Sequence, residues 1–141
     1  MKKVSAIALS TAMALSMALP SKVNATSRVD QLLSNMSTRQ KITQMLMVDF
    51  RYWDEDLSDG AQTTGHEFTK MNDQVRKIVE DYDFGALIYF AQNIQETEQS
   101  YNLSMAMQKA ATKDGGIPLL ISTDQEGGSV YRLGSGTALP G

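Results

Sequence analysis

Apolar residues along the chain alternate between stretches of helical period and short, nearly continuous runs. Val29, Leu32, Leu33 and Met36 stand at i, i+3, i+4 and i+7, the stripe of an amphipathic helix. Ser37-Thr38-Arg39-Gln40 then fits a capping box, with the Ser37 hydroxyl serving the third helical amide and Gln40 reaching back. Ile42, Met45 and Leu46 are expected to form the apolar face of the helix that starts there. Met45 to Phe50 (MLMVDF) is short and apolar enough for a first buried strand, and Arg51 to Glu67 is a polar loop carrying Gly60 and Gly65. Helical period returns from about Phe68 to Tyr82 through Met71, Val75, Ile78, Val79 and Tyr82. Gly85 to Phe90 (GALIYF) predicts a second strand, and Thr97 is placed to cap a helix running to about Thr112. Asp114-Gly115-Gly116 breaks that helix, and Ile117 to Thr123 (IPLLIST) predicts a third strand, with Pro118 tolerated near its start.

Strands apolar on both faces, alternating with amphipathic helices, predict an α/β fold: a parallel sheet covered by helices with right-handed crossovers. An open doubly wound sheet and a closed (β/α)8 barrel both satisfy this pattern. Three strands cannot close a barrel, which takes roughly 200 to 400 residues, and an open three-stranded sheet would leave two parallel edges bare. The expectation is therefore about three β/α units from the beginning of a longer protein.

The first 25 residues stand apart. Met1-Lys2-Lys3 is a positive start, Val4 to Leu19 carries no charge, Pro20 ends the apolar run, and Val23-Asn24-Ala25 offers small or modest side chains for cleavage. This is the three-part pattern of a secretory signal, too short for the roughly 20 apolar residues of a membrane span. The expectation is residues 1–25 as signal peptide, residues 26–141 as the exported part, secreted or wall-associated, and no membrane span after cleavage. Without Lys2, Lys3 and Lys22, the thirteen basic residues fall to ten against sixteen acidic ones, a net charge of −6. Such an acidic chain repels phosphate backbones, so nucleic acid is not an expected partner. The absence of Cys excludes disulfides and thiolate metal sites, and with a single His no zinc cluster can be assembled. No cofactor is expected.

In either architecture, chemistry gathers beyond the carboxyl ends of the parallel strands. The residues expected there are Asp49 to Tyr52 after the first strand, Phe90 to Asn93 after the second, and Asp124 to Gly128 after the third. Acids, amides, an arginine and aromatics on one rim suit a polyhydroxylated ligand. Carboxylates accept from sugar hydroxyls, amides and Arg51 donate, and aromatic faces cover the apolar side of a ring. Asp124 is the sharpest candidate, since it directly follows the third strand; the alternative is an Asp that caps the following turn. Arg51 is a candidate ligand contact or a rim ion pair, and Gly127-Gly128 lets the backbone turn sharply. His66 lies in a polar loop and reads as solvated. Gly134-Ser135-Gly136 lacks the third glycine of a dinucleotide fingerprint.

The segment IPLLISTDQEGGSVYRL, followed by GT-x-x-PG, resembles the N-terminal barrel of family 3 glycoside hydrolases, in the bacterial β-N-acetylglucosaminidase (β-hexosaminidase) branch. KITQMLMVDFR (Lys41 to Arg51) and FGALIYFAQNI (Phe84 to Ile94) agree in order and spacing. The resemblance runs from about Leu32 to Gly141. It implies the N-terminal part of a TIM-like (β/α)8 barrel that releases terminal N-acetylglucosamine from muropeptides or chitin-type oligosaccharides. It also implies a retaining mechanism through an Asp nucleophile, with a loop His as proton donor. Neither catalytic motif is matched before Gly141, and His66 is not in the family's His motif. This resemblance makes Asp124 a ligand of sugar hydroxyls and Arg51 a rim residue of the same subsite. Ser129 departs from the Arg that many relatives carry after the double glycine. The competing readings are a β-glucosidase or xylosidase of the same family, and a secreted, non-catalytic carbohydrate-binding protein.

Overall fold

The computed structural model describes residues 27–55 and 66–134. The expected signal peptide, Gly60, Gly65 and residues 135–141 lie outside them. Within them the elements run α1 (Arg28–Asn35), α2 (Thr38–Thr43), β1 (Met47–Val48), α3 (Asp73–Tyr82), β2 (Ala86–Tyr89), α4 (Thr97–Ala111) and β3 (Leu120–Thr123). The strands form one parallel sheet in the order β1-β2-β3. The α/β reading of the pattern therefore holds, and the local signals explain where each element starts and stops.

Ser27 caps α1 by accepting from the Asp30 amide, and the expected capping box of α2 is complete. The Gln40 amide donates to the Ser37 hydroxyl at 3.2 Å, and the Ser37 amide donates to Gln40 Oε1 at 2.9 Å. The apolar face expected of α2 is not formed. The helix ends at Thr43, its only buried residue, while Ile42 and Met45 are 52% and 80% exposed. The Met45 and Leu46 amides complete the last turn by donating to the Ile42 and Thr43 carbonyls. That turn consumes the front of the apolar run, so β1 has two residues instead of six.

The helix expected from Phe68 begins at Asp73, because Asn72 occupies the N-cap and accepts from the Val75 amide at 2.8 Å. Phe68 is buried ahead of it against Phe50, ring centroids 6.0 Å apart. Thr97 does not cap α4: Glu96 holds the N-cap position, its side chain makes no cap bond, and Thr97 is the first helical residue. The third strand is also shorter than its apolar run, since Pro118 and Leu119 precede the ladder. The Gln108 side chain replaces ladder partners for Leu119, accepting from its amide at 2.9 Å and donating to its carbonyl at 2.8 Å. An amide side chain on α4 thus docks the entry of β3 onto the helix that precedes it.

Helices α3 and α4 occupy the two crossovers and pack against each other on one face of the sheet. Val75 and Val79 of α3, and Leu103, Met107, Ala110 and Ala111 of α4, meet Leu87 and Tyr89 of β2 in the core. The i, i+4, i+7, i+8 spacing on α4 is the helical stripe closing over the sheet. Side chains alternate across a strand, so the row Val48-Leu87-Ile121 faces the helices while the paired row Met47-Ala86-Leu120 faces away. On that second face Met47 and Leu120 are 48% and 65% exposed among the described residues. Among the described residues, the expectation of helices over the sheet is met on one face only.

Candidate functional site

A parallel sheet delivers all its strand exits to one end. Asp49 leaves β1, while Phe90 and Asp124 follow the paired residues Tyr89 and Thr123. Thr123 bonds sideways through its hydroxyl to the Tyr89 carbonyl at 3.0 Å, which holds the two exits in register. Tyr89, buried beneath this rim, has its phenol pKa raised above the ordinary value of 10.0 by burial, with the Ser104 hydroxyl opposing the shift.

Asp124 is half-buried and, among the described residues, makes no hydrogen bond or ion pair. It does not cap the turn that follows. That turn closes through backbone bonds, the Glu126 amide to the Val130 carbonyl and the Val130 amide to the Gly127 carbonyl. Gly127 and Gly128 adopt φ of 78° and 57°, left-handed values that a side chain disfavours. Gln125 fastens the returning segment by accepting from the Arg132 and Leu133 amides at 2.8 and 3.1 Å. The carboxylate of Asp124 is therefore left free on a braced loop.

Arg51 is brought to the same rim but is not free. Its Nε lies 3.3 Å from Asp49 Oδ1, both side chains about 40% exposed, and its guanidinium carbon sits 3.4 Å from the centre of the Phe90 ring. Both alternatives raised for Arg51 thus remain compatible: the ion pair exists, and part of its donor fork is still exposed for a ligand. Gln92 reaches across from the second exit to the Tyr52 hydroxyl at 3.1 Å. The aromatic and amide residues expected on the rim are in place.

The first loop leaves β1 and returns as a small antiparallel stem, in which the Trp53 amide donates to the His66 carbonyl and the Phe68 amide to the Arg51 carbonyl. Phe50, Trp53 and Phe68 form its aromatic root, and Trp53 Nε1 donates to Gln74 of α3 at 2.6 Å. His66 is exposed, as its polar surroundings implied. A hollow of about 600 Å³ lies beside this stem, lined by Trp53, His66, Glu67 and Lys70 among others, and contains neither Arg51 nor Asp124.

One residue at the rim escaped the sequence reading. Arg132 has a buried Nε with no hydrogen-bond partner among the described residues, on the segment that Gln125 folds back beside the exit of β3. A buried donor without an acceptor is costly unless a ligand supplies one. The signal that could have found it is a lone cation a short step beyond a double-glycine turn. Asn93, expected on the rim from its place after the second strand, is instead buried beneath it, only 1% exposed, and its side chain joins three backbone segments. Among the described residues no three His, Asp or Glu side chains gather to hold a metal, and no helix is long and apolar enough to cross a membrane.

Residues 37–141, which include this rim, match the glycosyl hydrolase family 3 N terminal domain. The chain belongs to glycoside hydrolase family 3. It is 35% identical over 99 residues to beta-hexosaminidase A of Pseudoalteromonas piscicida, covering 70% of this chain and 17% of that protein. A beta-hexosaminidase of Photobacterium profundum is 38% identical over 64 residues, covering 45% of this chain and 18% of its own length. Among solved structures, a family 3 beta-N-acetylglucosaminidase from Paenibacillus sp. str. FPU-7 superposes with a TM-score of 0.58 at 34% identity. That match takes in 75% of this family 3 chain and 17% of the solved one. The chain thus spans under a fifth of the length of the relatives it matches.

Proposed function

We propose that this family 3 chain is the front of an exported β-N-acetylhexosaminidase and supplies the subsite that binds the terminal sugar. The observation that carries the reading is Asp124, a carboxylate without a partner among the described residues, at the end of β3 on the same rim as Arg51. Two acceptor oxygens on Asp124 would take hydroxyl protons of the sugar, and the exposed donors of Arg51 would approach the same ring. Arg132 supplies a further donor in need of an acceptor. The likeness to the hexosaminidases above favours terminal N-acetylglucosamine, in muropeptides or chitin-type oligosaccharides, over glucose or xylose.

The same reading extends the three β/α units into a (β/α)8 barrel. In its support, the strands follow one another in sheet order, the crossover helices share one face, and Met47 and Leu120 on the other face need cover. Residues 1–25 would serve as the signal peptide and be removed, placing the enzyme outside the cell or on its wall. The retaining nucleophile and the proton donor would come from residues after Gly141. On this view the isolated chain has no turnover, and any measurable hydrolysis by it would contradict the assignment.

The experiment is a substrate panel with the whole enzyme that carries this chain, comparing aryl β-glycosides of N-acetylglucosamine, glucose and xylose. A preference of about 100-fold or more in kcat/KM for the N-acetylglucosaminide is expected of a site built to engage the acetamido group. Equal or better turnover of the glucoside or xyloside would transfer the enzyme to the other specificity. The mass of the secreted product, expected to begin near Thr26, checks the signal.

A further inference from the structure

The rim has a mechanical problem that one side chain solves. Strand β1 ends its ladder at Val48, paired with Leu87, while β2 runs on to Tyr89. From Asp49 onward the first exit has no strand ladder to locate it, yet Arg51 has to meet the ring of Phe90, which lies on the second exit. Asn93 spans this gap. Its Nδ2 donates to the Phe50 carbonyl at 2.8 Å and to the Phe68 carbonyl at 2.9 Å, and its Oδ1 accepts from the Phe90 amide at 2.9 Å. Only a carboxamide offers two donors and an acceptor in this arrangement, and the two bonds to the Phe50 and Phe68 carbonyls are buried.

Each of the three partners touches the cation–ring pair directly in sequence or by a hydrogen bond. Phe50 precedes Arg51, the Phe68 amide holds the Arg51 carbonyl, and Phe90 carries the ring beneath the guanidinium. We propose that Asn93 is the positioning residue of the sugar subsite: its amide takes over from the ladder beyond β1 and registers Arg51 over Phe90. This rests on the reading of Arg51 as a ligand contact. Asn93 itself touches no substrate, because it is buried below the rim. Gln99 braces it from α4 by donating to the Asn93 carbonyl at 3.1 Å and to the Thr69 carbonyl at 2.6 Å.

The test is a double-mutant cycle in the whole enzyme, with Asn93→Ser, Asn93→Leu, Arg51→Ala and the Arg51→Ala/Asn93→Ser pair, assayed on an aryl N-acetyl-β-glucosaminide. Asn93→Ser keeps one hydroxyl that can donate or accept, whereas Asn93→Leu keeps the bulk and none of the bonds. The expected result is a KM raised about tenfold for Asn93→Leu with kcat within about twofold, the mark of lost binding common to ground and transition states. Asn93→Ser should recover part of that loss. In the Arg51→Ala background, replacing Asn93 should change KM by less than about twofold, since the two share one interaction.

Additive effects in the cycle, or a fall in kcat with KM unchanged, would overturn the positioning role while leaving Arg51 a ligand. An unchanged KM for Arg51→Ala alone would remove Arg51 from the subsite, and the role of Asn93 with it. Loss of the cooperative thermal transition in both Asn93 variants would also overturn the proposal, because Asn93 would then hold the sheet and not the rim.

Discussion

Replacing Asp124 by Ala is the perturbation with the clearest consequence. The carboxylate is half-buried and has no partner among the described residues, so its removal breaks nothing within the fold that the structure shows. The turn beyond it is closed by backbone bonds and by Gln125, and neither involves Asp124. Thermal stability should therefore stay within about 0.5 kcal/mol of the parent, as for a surface change away from structural features. The loss falls on the ligand. Hydrogen bonds to a charged group contribute about 1.5–3 kcal/mol each, and partial exposure favours the lower figure. Two such bonds from sugar hydroxyls give about 3 kcal/mol, or roughly a hundredfold in kcat/KM. Asp124→Asn keeps the shape and one acceptor oxygen but loses the charge, and should cost about tenfold. The assay is chromophore release from an aryl N-acetyl-β-glucosaminide by the whole enzyme, with melting curves for each variant. A kcat/KM within about twofold of the parent for Asp124→Ala would refute the reasoning. A lowered melting point with unchanged kinetics would instead make Asp124 a turn residue after all.

Two further predictions concern the platform beneath the rim. A Cβ at Gly85 would lie 1.9 Å from the Gln44 carbonyl oxygen, a backbone atom that cannot swing away. Gly85→Ala should destabilise the domain by about 2–3 kcal/mol through forced separation of β2 from the end of α2, read as a lower urea midpoint; an unchanged midpoint would show that the close approach is not needed. Tyr89 gives a pH signature. Its phenol pKa is raised above 10.0 by burial, so the folded state keeps the proton that the unfolded chain would release. Its contribution is full below about pH 10 and is lost as pH rises through the raised value, so Tyr89→Phe should flatten the alkaline fall in stability. Identical alkaline profiles for the two proteins would refute this.

What could be seen in the sequence was local. The capping box at Ser37 and Gln40 involves groups three residues apart, and it forms as read. The order of helices and strands, the Asp114-Gly115-Gly116 break and the crowding of polar groups at strand exits also follow from short-range pattern. Helix α4 ends at Ala111, and Asp114 and Gly115 just beyond it take left-handed φ of 54° and 85°. The element boundaries were less legible because a ladder is made by two partners. Nothing in MLMVDF says that its first two residues will be spent on closing a helical turn. Phe68 matched the helical period of α3 but was claimed by Phe50, which is distant in sequence. Thr97 is a good capping residue in isolation, yet the helix begins one residue too early for it to serve.

The site was half legible for the same reason. Asp124 and Arg51 could be placed from strand ends alone, since a parallel strand always delivers its next residue to the same rim. What the strand ends do not reveal is how the rim is kept in register once the ladder stops. In this chain carboxamides do that work at several seams. Gln44 donates to the Asp83 and Phe84 carbonyls ahead of β2, Gln108 brackets Leu119 ahead of β3, and Asn93 ties the exits of β1 and β2. Each seam lies where a short strand leaves backbone groups without ladder partners, and a side-chain amide satisfies them without introducing a charge. Short strands release the chain early enough to build a polar rim, and the amides recover the precision that longer ladders would have provided. On the proposed reading, the residues that bind and the residues that aim them are different sets. A substitution at Gln44 or Gln108 should act on stability, whereas one at Asn93 should act on the geometry of the sugar subsite.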